Sequence, residues 1–481
     1  IMEPTSEQTR VLLSVVRNLV LELHPRRGRR IQIALDSELD KDLGFDSLSR
    51  VELLLRIQRE FNINLPERMF AEAETPGDLL DALAVAGAPP TGSAALNVFA
   101  DDLEALDETP ESAQTLIDVL NWHVERSPQR PHIYLYGDGP QPEVISHAAL
   151  AQGARAIAAG LQAQGLEQGQ SVAIMLPTSV DYIDTFFGVL LAGAVPVPIY
   201  PPMRPAQIED HLRRHARILA NAEAVMLVTD ASAQRLARLL QGHVPSLREI
   251  VNPQALRQAR QAFIPPPAAP QDVAFLQYTS GSTGQPKGVI LSHANLLANI
   301  RAMGRAVNVT SKDIFVSWLP LYHDMGLIGA WLASLYFGMP LVLMSPLKFL
   351  TYPASWLRAV HDHRATLTAA PNFAFELCLS KIRDQELEGL DLSSLRMAFN
   401  GAEPISPNTV RRFTERFAGY GFNSRAFAPV YGLAESAVGL AFPPLERGPI
   451  IDRIERTSFE TGGRAQPTAP DDVDALEFVA C

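Results

Sequence analysis

Between Tyr278 and Gly288 the chain reads YTSGSTGQPKG, which sets Gly281, Gly284 and Gly288 among the hydroxyls of Thr279, Ser280, Ser282 and Thr283 and the ammonium group of Lys287. Glycine lets backbone N–H groups turn inward on an anion, and hydroxyls with a cation complete the shell around its oxygens. The stretch therefore has the composition of a phosphate-gripping loop. It is neither the G-x-x-x-x-G-K-[ST] loop nor the G-x-G-x-x-G dinucleotide turn, because Pro286 precedes Lys287 and Gly288 follows it. An apolar strand, VAFLQYT, enters it, and the run GVILS with the helical pattern HANLLANIRAM leaves it. That setting favours the loop over an ordinary flexible glycine turn.

Three later stretches hold residues suited to the same chemistry: SWLPLYHDMGLIG with His323, FNGAEPI with Gly401 and Ala402, and YGLAES with Tyr431 and Glu435. Taken singly, His323 could be a core histidine, Glu435 a surface acid near a helix start and Tyr431 a packing aromatic. Taken in order with TSGSTGQPKG, they resemble the adenylate-forming enzymes, the family of acyl-CoA synthetases, luciferases and peptide-synthetase adenylation domains. The resemblance runs from about Ser112 to Cys481. LQYTSGST, WLPLYHDMGL and APNFAFELC look most like the fatty acyl-AMP ligases within it.

The resemblance implies a role for each position. The loop from Thr279 to Lys287 would hold the β- and γ-phosphates of ATP, and Glu435 would bind Mg²⁺, a hard ion suited to oxygen ligands. Tyr431 would stack on adenine, with Gly401 and Ala402 opposite, and His323 would lie beside the acyl carboxylate. His323, Lys287 and Glu435 form the expected catalytic set. Attack of a carboxylate on the α-phosphorus builds negative charge that fixed donors and a divalent cation can stabilise. Ala434 stands where many relatives carry threonine, which resembles the acyl-AMP ligase branch.

Near the N-terminus, DLGFDSLSRVELLLRIQREFNINLP resembles acyl and peptidyl carrier proteins, with Ser47 as the attachment point for 4′-phosphopantetheine. A phosphodiester at a helix N-terminus is favoured by unpaired N–H groups and the helix dipole; the alternative is that Asp46 or Ser47 only caps a helix. A phosphopantetheinyl transferase would have to load the arm. A carrier fused to an acid-activating enzyme points to a tethered thiol acceptor, in cis or in trans. The rival expectations are an acyl-CoA synthetase using free coenzyme A and a catalytically silent carrier-docking module.

The elements that must position these groups can be read from periodicity. Thr9 to His24 sets Val11, Leu12, Val15, Val16, Leu19 and Leu23 on one helical face, Leu48 to Phe61 repeats the pattern, and TPGD at Thr75 opens a third helix with Pro76 in its first position. Further on, SVAIMLP and AVMLVTD alternate with helical stretches, as in parallel sheets with crossover helices. The expected fold is α/β: a large adenylate-forming domain of parallel sheets and flanking helices, preceded by a small all-α four-helix carrier bundle. The boundaries are 1–86 for the carrier, 87–111 for a Gly-, Pro- and acid-rich linker, and 112–481 for the AMP-binding domain. The linker's 25 residues span about 25–30 Å as a flexible coil.

The totals narrow the function classes. The chain has 481 residues, 47% of them hydrophobic and 20% charged, with a formal net charge of -12. That balance gives no basic surface for nucleic acid, and RRGRR at Arg26–Arg30 reads as a solvated loop. The longest apolar run, FFGVLLAGAVPVPIY, holds two prolines and no secretory leader is visible, so neither a membrane span nor export is expected. Only Cys378 and Cys481 occur, which fits a reducing cytoplasm; Cys378 in FAFELCLSKI reads as a small core residue. HDH at His361–His363 turns its neighbours to different helix faces, against a metal site. The family carries a C-terminal lid with a lysine and a TGD motif, and ETGGR has Gly463 where that Asp is required. The chain is therefore expected to stop short of its lid and to adenylate poorly alone.

Overall fold

The computed structural model describes residues 6–24, 31–45, 47–63, 65–66, 69, 73–85, 104–139, 141–201, 208–279 and 286–481. The basic cluster Arg26–Arg30, the carrier boundary at Ala86 and the linker as far as residue 103 lie outside the described residues.

Three helices of the expected carrier bundle are described: α1 (Ser6–Leu23), α2 (Ser47–Phe61) and α3 (Pro76–Val85). Leu12, Val16, Leu19 and Val20 of α1 bury against Leu53, Leu54 and Ile57 of α2 and Leu79 of α3, while Leu23, the last residue of α1, is left exposed. Thr75 caps α3: its hydroxyl accepts from the Asp78 N–H at 3.3 Å and the Asp78 carboxylate accepts from the Thr75 N–H at 2.8 Å. Ahead of α2 the turn needs glycine, because Gly44 has φ of +73° and a Cβ there would lie 2.8 Å from His24 Nε2. Arg50 fixes that turn from within the bundle, pairing with Asp40 at 3.0 Å and donating to the Ala73 carbonyl at 2.7 Å.

The larger part of the chain is built on two parallel-stranded sheets. Its first strands are β1 (Pro131–Tyr136), β2 (Glu143–Ser146), β3 (Ser171–Met175), β4 (Val195–Pro198), β5 (Ala224–Thr229) and β6 (Glu249–Val251). Next come β7 (Val273–Thr279), β8 (Lys287–Ser292), β9 (Phe315–Ser317), β10 (Leu341–Met344), β11 (Leu367–Ala370), β12 (Met397–Asn400) and β13 (Phe427–Pro429). Four strands pair in parallel in the order β4-β3-β5-β6, and seven in the order β13-β12-β11-β9-β10-β1-β2, parallel except where β2 joins the edge. Strands β9 to β12 are buried along their whole lengths, the pattern of a sheet covered on both faces.

Helices α4 (His147–Ala163), α5 (Val180–Leu191), α6 (His293–Val307), α7 (Ala333–Phe337), α8 (Pro346–Thr351) and α9 (Asn372–Lys381) pack on these sheets. A π-helix, Met325–Leu332, leads directly into α7. Aromatic contacts bind the layers near the end of the π-helix: Phe186 of α5 lies 5.4 Å from Trp331 and 5.8 Å from Phe275 of β7. Beside the parallel sheets, the strands that flank the glycine loop pair differently. β7 and β8 form an antiparallel hairpin, because the connection from Ser280 to Gln285 is far too short for a crossover.

Candidate active site

The chain leaves β9 at Ser317 and runs through Trp318–Tyr322 to His323. Two donors fix this run by its carbonyls, Tyr182 Oη to Leu321 at 2.6 Å and Gln277 Nε2 to Tyr322 at 2.9 Å. Gln277 belongs to β7, so the strand that enters the glycine loop also holds the histidine loop in register. His323 Nδ1 then lies 2.8 Å from Asp324 Oδ1, and Asp324 accepts at 2.7 Å from the Met325 N–H at the start of the π-helix. The hydrogen bond to Asp324 raises the His323 pKa above its ordinary value, against the opposing effect of burial.

In the β7–β8 hairpin, Thr279 pairs across from Lys287 and Tyr278 across from Gly288. Lys287 is exposed at the base of the loop, while Ser280, Gly281, Ser282, Thr283 and Gly284 lie outside the described residues. After β12, Gly401 and Ala402 turn sharply, with Ala402 in the left-handed region at φ of +69°. Glu403, the next residue, accepts from the Phe373 N–H at the head of α9 at 2.5 Å. Tyr431 opens a short strand, β14 (Tyr431–Leu433), and is 57% exposed; Glu435 sits in the tight turn that follows, beside buried Ala434.

One cavity of about 330 Å³ gathers these groups. Its lining includes Thr279, His323, Gly401, Ala402, Tyr431 and Glu435 together with the apolar Met303, Val307, Phe337, Met339, Leu367 and Phe399. Lys287 is not among the lining residues, although its pairing partner Thr279 is. The apolar wall escaped sequence reading, since its side chains come from helices and strands far apart in the chain; the small residues of GLIGAWLA are the only local signal. The pairing of Asp324 with His323 was likewise missed.

The other residues singled out lie elsewhere. His361 Nδ1 meets the Asp391 N–H at 3.1 Å and His363 Nε2 meets Tyr136 Oη at 2.8 Å, so each answers a local partner. Cys378 is buried, as expected of a small core residue, and burial pushes its thiol pKa up. Gly463 ends a short helix, Arg456–Gly462, in the left-handed conformation at φ of +63°. Ser47 begins α2.

Comparison with known proteins bears on this geometry. The model for AMP-binding enzymes matches residues 120–465. The chain belongs to the AMP-binding enzyme family. A second model, for the phosphopantetheine attachment site, matches residues 15–83, which include Ser47. Among relatives of this AMP-binding chain, a medium-chain-fatty-acid–[acyl-carrier-protein] ligase of Moorena producens is 35% identical over 67% of this chain and 55% of its own length. A long-chain-fatty-acid–AMP ligase of Mycobacterium marinum is 37% identical over 65% of this chain and 54% of its own. The chain thus spans about half the length of these relatives. The structure is similar to that of the fatty acid AMP ligase from Legionella pneumophila, with a TM-score of 0.70 and 34% identity over 77% of this chain and 64% of that one. A fatty acyl-adenylate ligase from the same organism, solved with acyl adenylate and pyrophosphate, has the same TM-score and identity over 78% of this chain and 65% of its own.

Proposed function

We propose that residues 112–481 activate a fatty acid with ATP and that residues 1–86, joined by the linker 87–111, provide an acyl carrier. In the first step a carboxylate oxygen attacks the α-phosphorus of ATP, and the bond to the departing pyrophosphate breaks to leave acyl-AMP. In the second, the thiolate of a 4′-phosphopantetheine arm attacks the acyl carbon, AMP leaves, and the thiol proton passes to solvent. The observation that carries this reading is one cavity lined both by the residues expected at a nucleotide site, Thr279, His323, Tyr431 and Glu435 among them, and by apolar side chains suited to a hydrocarbon chain.

Each residue takes a part in that scheme. Imidazolium His323 would hold the fatty carboxylate, Tyr431 would cover adenine, and Gly401 with Ala402 would line the opposite side. Thr279 and Lys287, with Ser280 to Gly284 between them, would hold the phosphates. Glu435 fits Mg²⁺ as an oxygen ligand. Among the described residues no group of three His, Cys, Asp or Glu could hold a metal unaided, which suits an ion that shares one carboxylate with nucleotide phosphates. Bound there, Mg²⁺ would offset the charge on the phosphates.

Ser47 would carry the arm, installed by a separate phosphopantetheinyl transferase. The carrier match favours a tethered thiol over free coenzyme A. No described helix is long and apolar enough to cross a membrane; a cytoplasmic setting is our proposal, from the two unpaired cysteines. The test is mass-spectrometric detection of acyl-AMP when the chain is given ATP, Mg²⁺ and a series of fatty acids. Acyl-CoA as the main product when coenzyme A is added would overturn the ligase assignment.

A further inference from the structure

Helix α2 of the carrier lies against the AMP-binding domain through a defined set of contacts. Glu52 pairs with Lys381 at the end of α9, Oε2 to Nζ 2.5 Å. Gln58 Nε2 donates to the Thr351 carbonyl at the end of α8 at 3.2 Å, and the Arg59 guanidinium donates to the Lys381 carbonyl. Leu347 and Leu350 of α8 pack on the carrier core. Within the carrier, Arg56 binds Glu52 at 2.8 Å and Glu22 at 2.7 Å, so the carboxylate that meets Lys381 is held before contact.

The same two helices touch segments that adjoin lining residues of the cavity. Helix α9 spans about 15 Å from Lys381 back to Asn372, where the neighbouring Phe373 N–H is tied to Glu403 beside Ala402. In α8, Phe349 stacks on Trp318 at 4.1 Å, and Trp318 lies 5.9 Å from Phe373. On the carrier side Ser47 is about 7–8 Å along α2 from Glu52. The contact is therefore made by the helix that bears the attachment serine, on helices that touch segments next to the site.

We propose that the α8–α9 face is a docking surface for this chain's own carrier and that Ser47 is loaded in cis. The proposal rests on the adenylate-forming reading above. A contact of a few polar groups and two leucines suits an acceptor that must come and go, because a tether can raise the effective concentration to about millimolar without a large interface.

The test uses the full chain, its arm installed by a phosphopantetheinyl transferase, with ATP, Mg²⁺ and a fatty acid. Acyl-AMP and the acylated arm are followed separately by mass spectrometry. Lys381→Glu is expected to slow arm loading at least about tenfold with acyl-AMP formation unchanged, and Glu52→Lys in the same chain is expected to restore part of the loss. Loading should not depend on protein concentration. An arm-free chain mixed with an arm-bearing His323→Ala chain should acylate the latter slowly. Wild-type loading by Lys381→Glu, or loading of the mixed pair as fast as the intact chain, would overturn the proposal. If no acyl-AMP forms at all, the functional reading fails, and the dock is judged alone by joining Gln58→Cys to Thr351→Cys with a short bis-maleimide. An intrachain product supports the dock; only unlinked or interchain products refute it.

Discussion

His323 and Asp324 are adjacent in sequence yet face each other, Nδ1 to Oδ1 at 2.8 Å, with the same carboxylate oxygen also capping the Met325 N–H. This arrangement fixes the tautomer: a neutral His323 donating from Nδ1 presents only a lone pair at Nε2, whereas the imidazolium donates from both nitrogens. A carboxylate substrate needs the second donor. Its binding should therefore depend on the charged form, which Asp324 keeps populated to higher pH.

Asp324→Asn separates the two duties of this side chain, because the amide oxygen can still cap the π-helix but no longer carries charge. We expect the pH at which the fatty acid KM rises to move downward, and kcat/KM at neutral pH to fall about tenfold, equivalent to ~1.4 kcal/mol. The thermal midpoint should change little. An unchanged pH profile in Asp324→Asn would show that the charge on Asp324 has no such role.

Five buried histidines give a second pH dependence, of stability. Burial lowers the pKa of His123 to about 3 and those of His147, His293 and His363 to about 4, and holds His132 well below the ordinary value. His123 and His147 stack at 4.5 Å, and His132 Nε2 accepts from the Trp331 indole N–H at 3.1 Å. Their folded-state values lie below that of an unfolded histidine near 6.5, so the unfolded chain binds more protons as pH falls from about 6.5 toward 4. Each such group costs up to ~1.4 kcal/mol of stability per pH unit in that window. Denaturant midpoints should drop between pH 7 and pH 5; equal midpoints would contradict the neutral-imidazole assignment.

Gly304 and Phe337 both line the cavity. A Cβ at Gly304 would lie 2.0 Å from Phe337 Cζ, so the ring rests directly on the glycine backbone. Gly304→Ala should push the ring into the space a chain would fill and move the preference to shorter acids. Phe337→Ala should open it, with each extra buried methylene raising kcat/KM by roughly fourfold, from ~0.8 kcal/mol per CH₂. A chain-length profile by acyl-AMP release checks both; identical profiles for the two variants would place the hydrocarbon elsewhere.

What the sequence disclosed follows from the range of the interactions involved. The glycines, hydroxyls and lysine from Thr279 to Lys287 lead to the expectation of an anion site through local composition, and the apolar periodicity of α1 and α2 announces a helical bundle. The apolar runs SVAIMLP and AVMLVTD, which become β3 and β5, declare a covered parallel sheet in the same way. The antiparallel pairing of Thr279 with Lys287 was not legible, because the alternating strand–helix pattern around it points to crossovers and says nothing of this short return. Nor was the bond between His323 and Asp324, which depends on Asp324 entering the π-helix in a right-handed turn. The wall formed by Met303, Phe337, Leu367 and Phe399 brings together residues almost a hundred positions apart, and the meeting of Glu52 with Lys381 spans a still longer range, set only by how the domains pack.

Glu435, the proposed Mg²⁺ ligand, lines the cavity from a turn whose backbone is closed by the Ala437 N–H on the Ala434 carbonyl at 3.0 Å. Because that turn is held by main-chain contacts, Glu435→Gln should leave it in place while removing the negative charge. The amide offers one neutral oxygen where the carboxylate offers two charged ones, and losing a charged partner costs roughly 1.5–3 kcal/mol. The Mg²⁺ concentration for half-maximal acyl-AMP formation should therefore rise by roughly 10- to 100-fold, with rates recovering at high Mg²⁺. Chelation of Mg²⁺ should abolish adenylation in both proteins and leave the thermal midpoint of the free chain unchanged. If Glu435→Gln shows the same Mg²⁺ titration as the unaltered chain, the ion is held by other groups and the assignment of this residue falls.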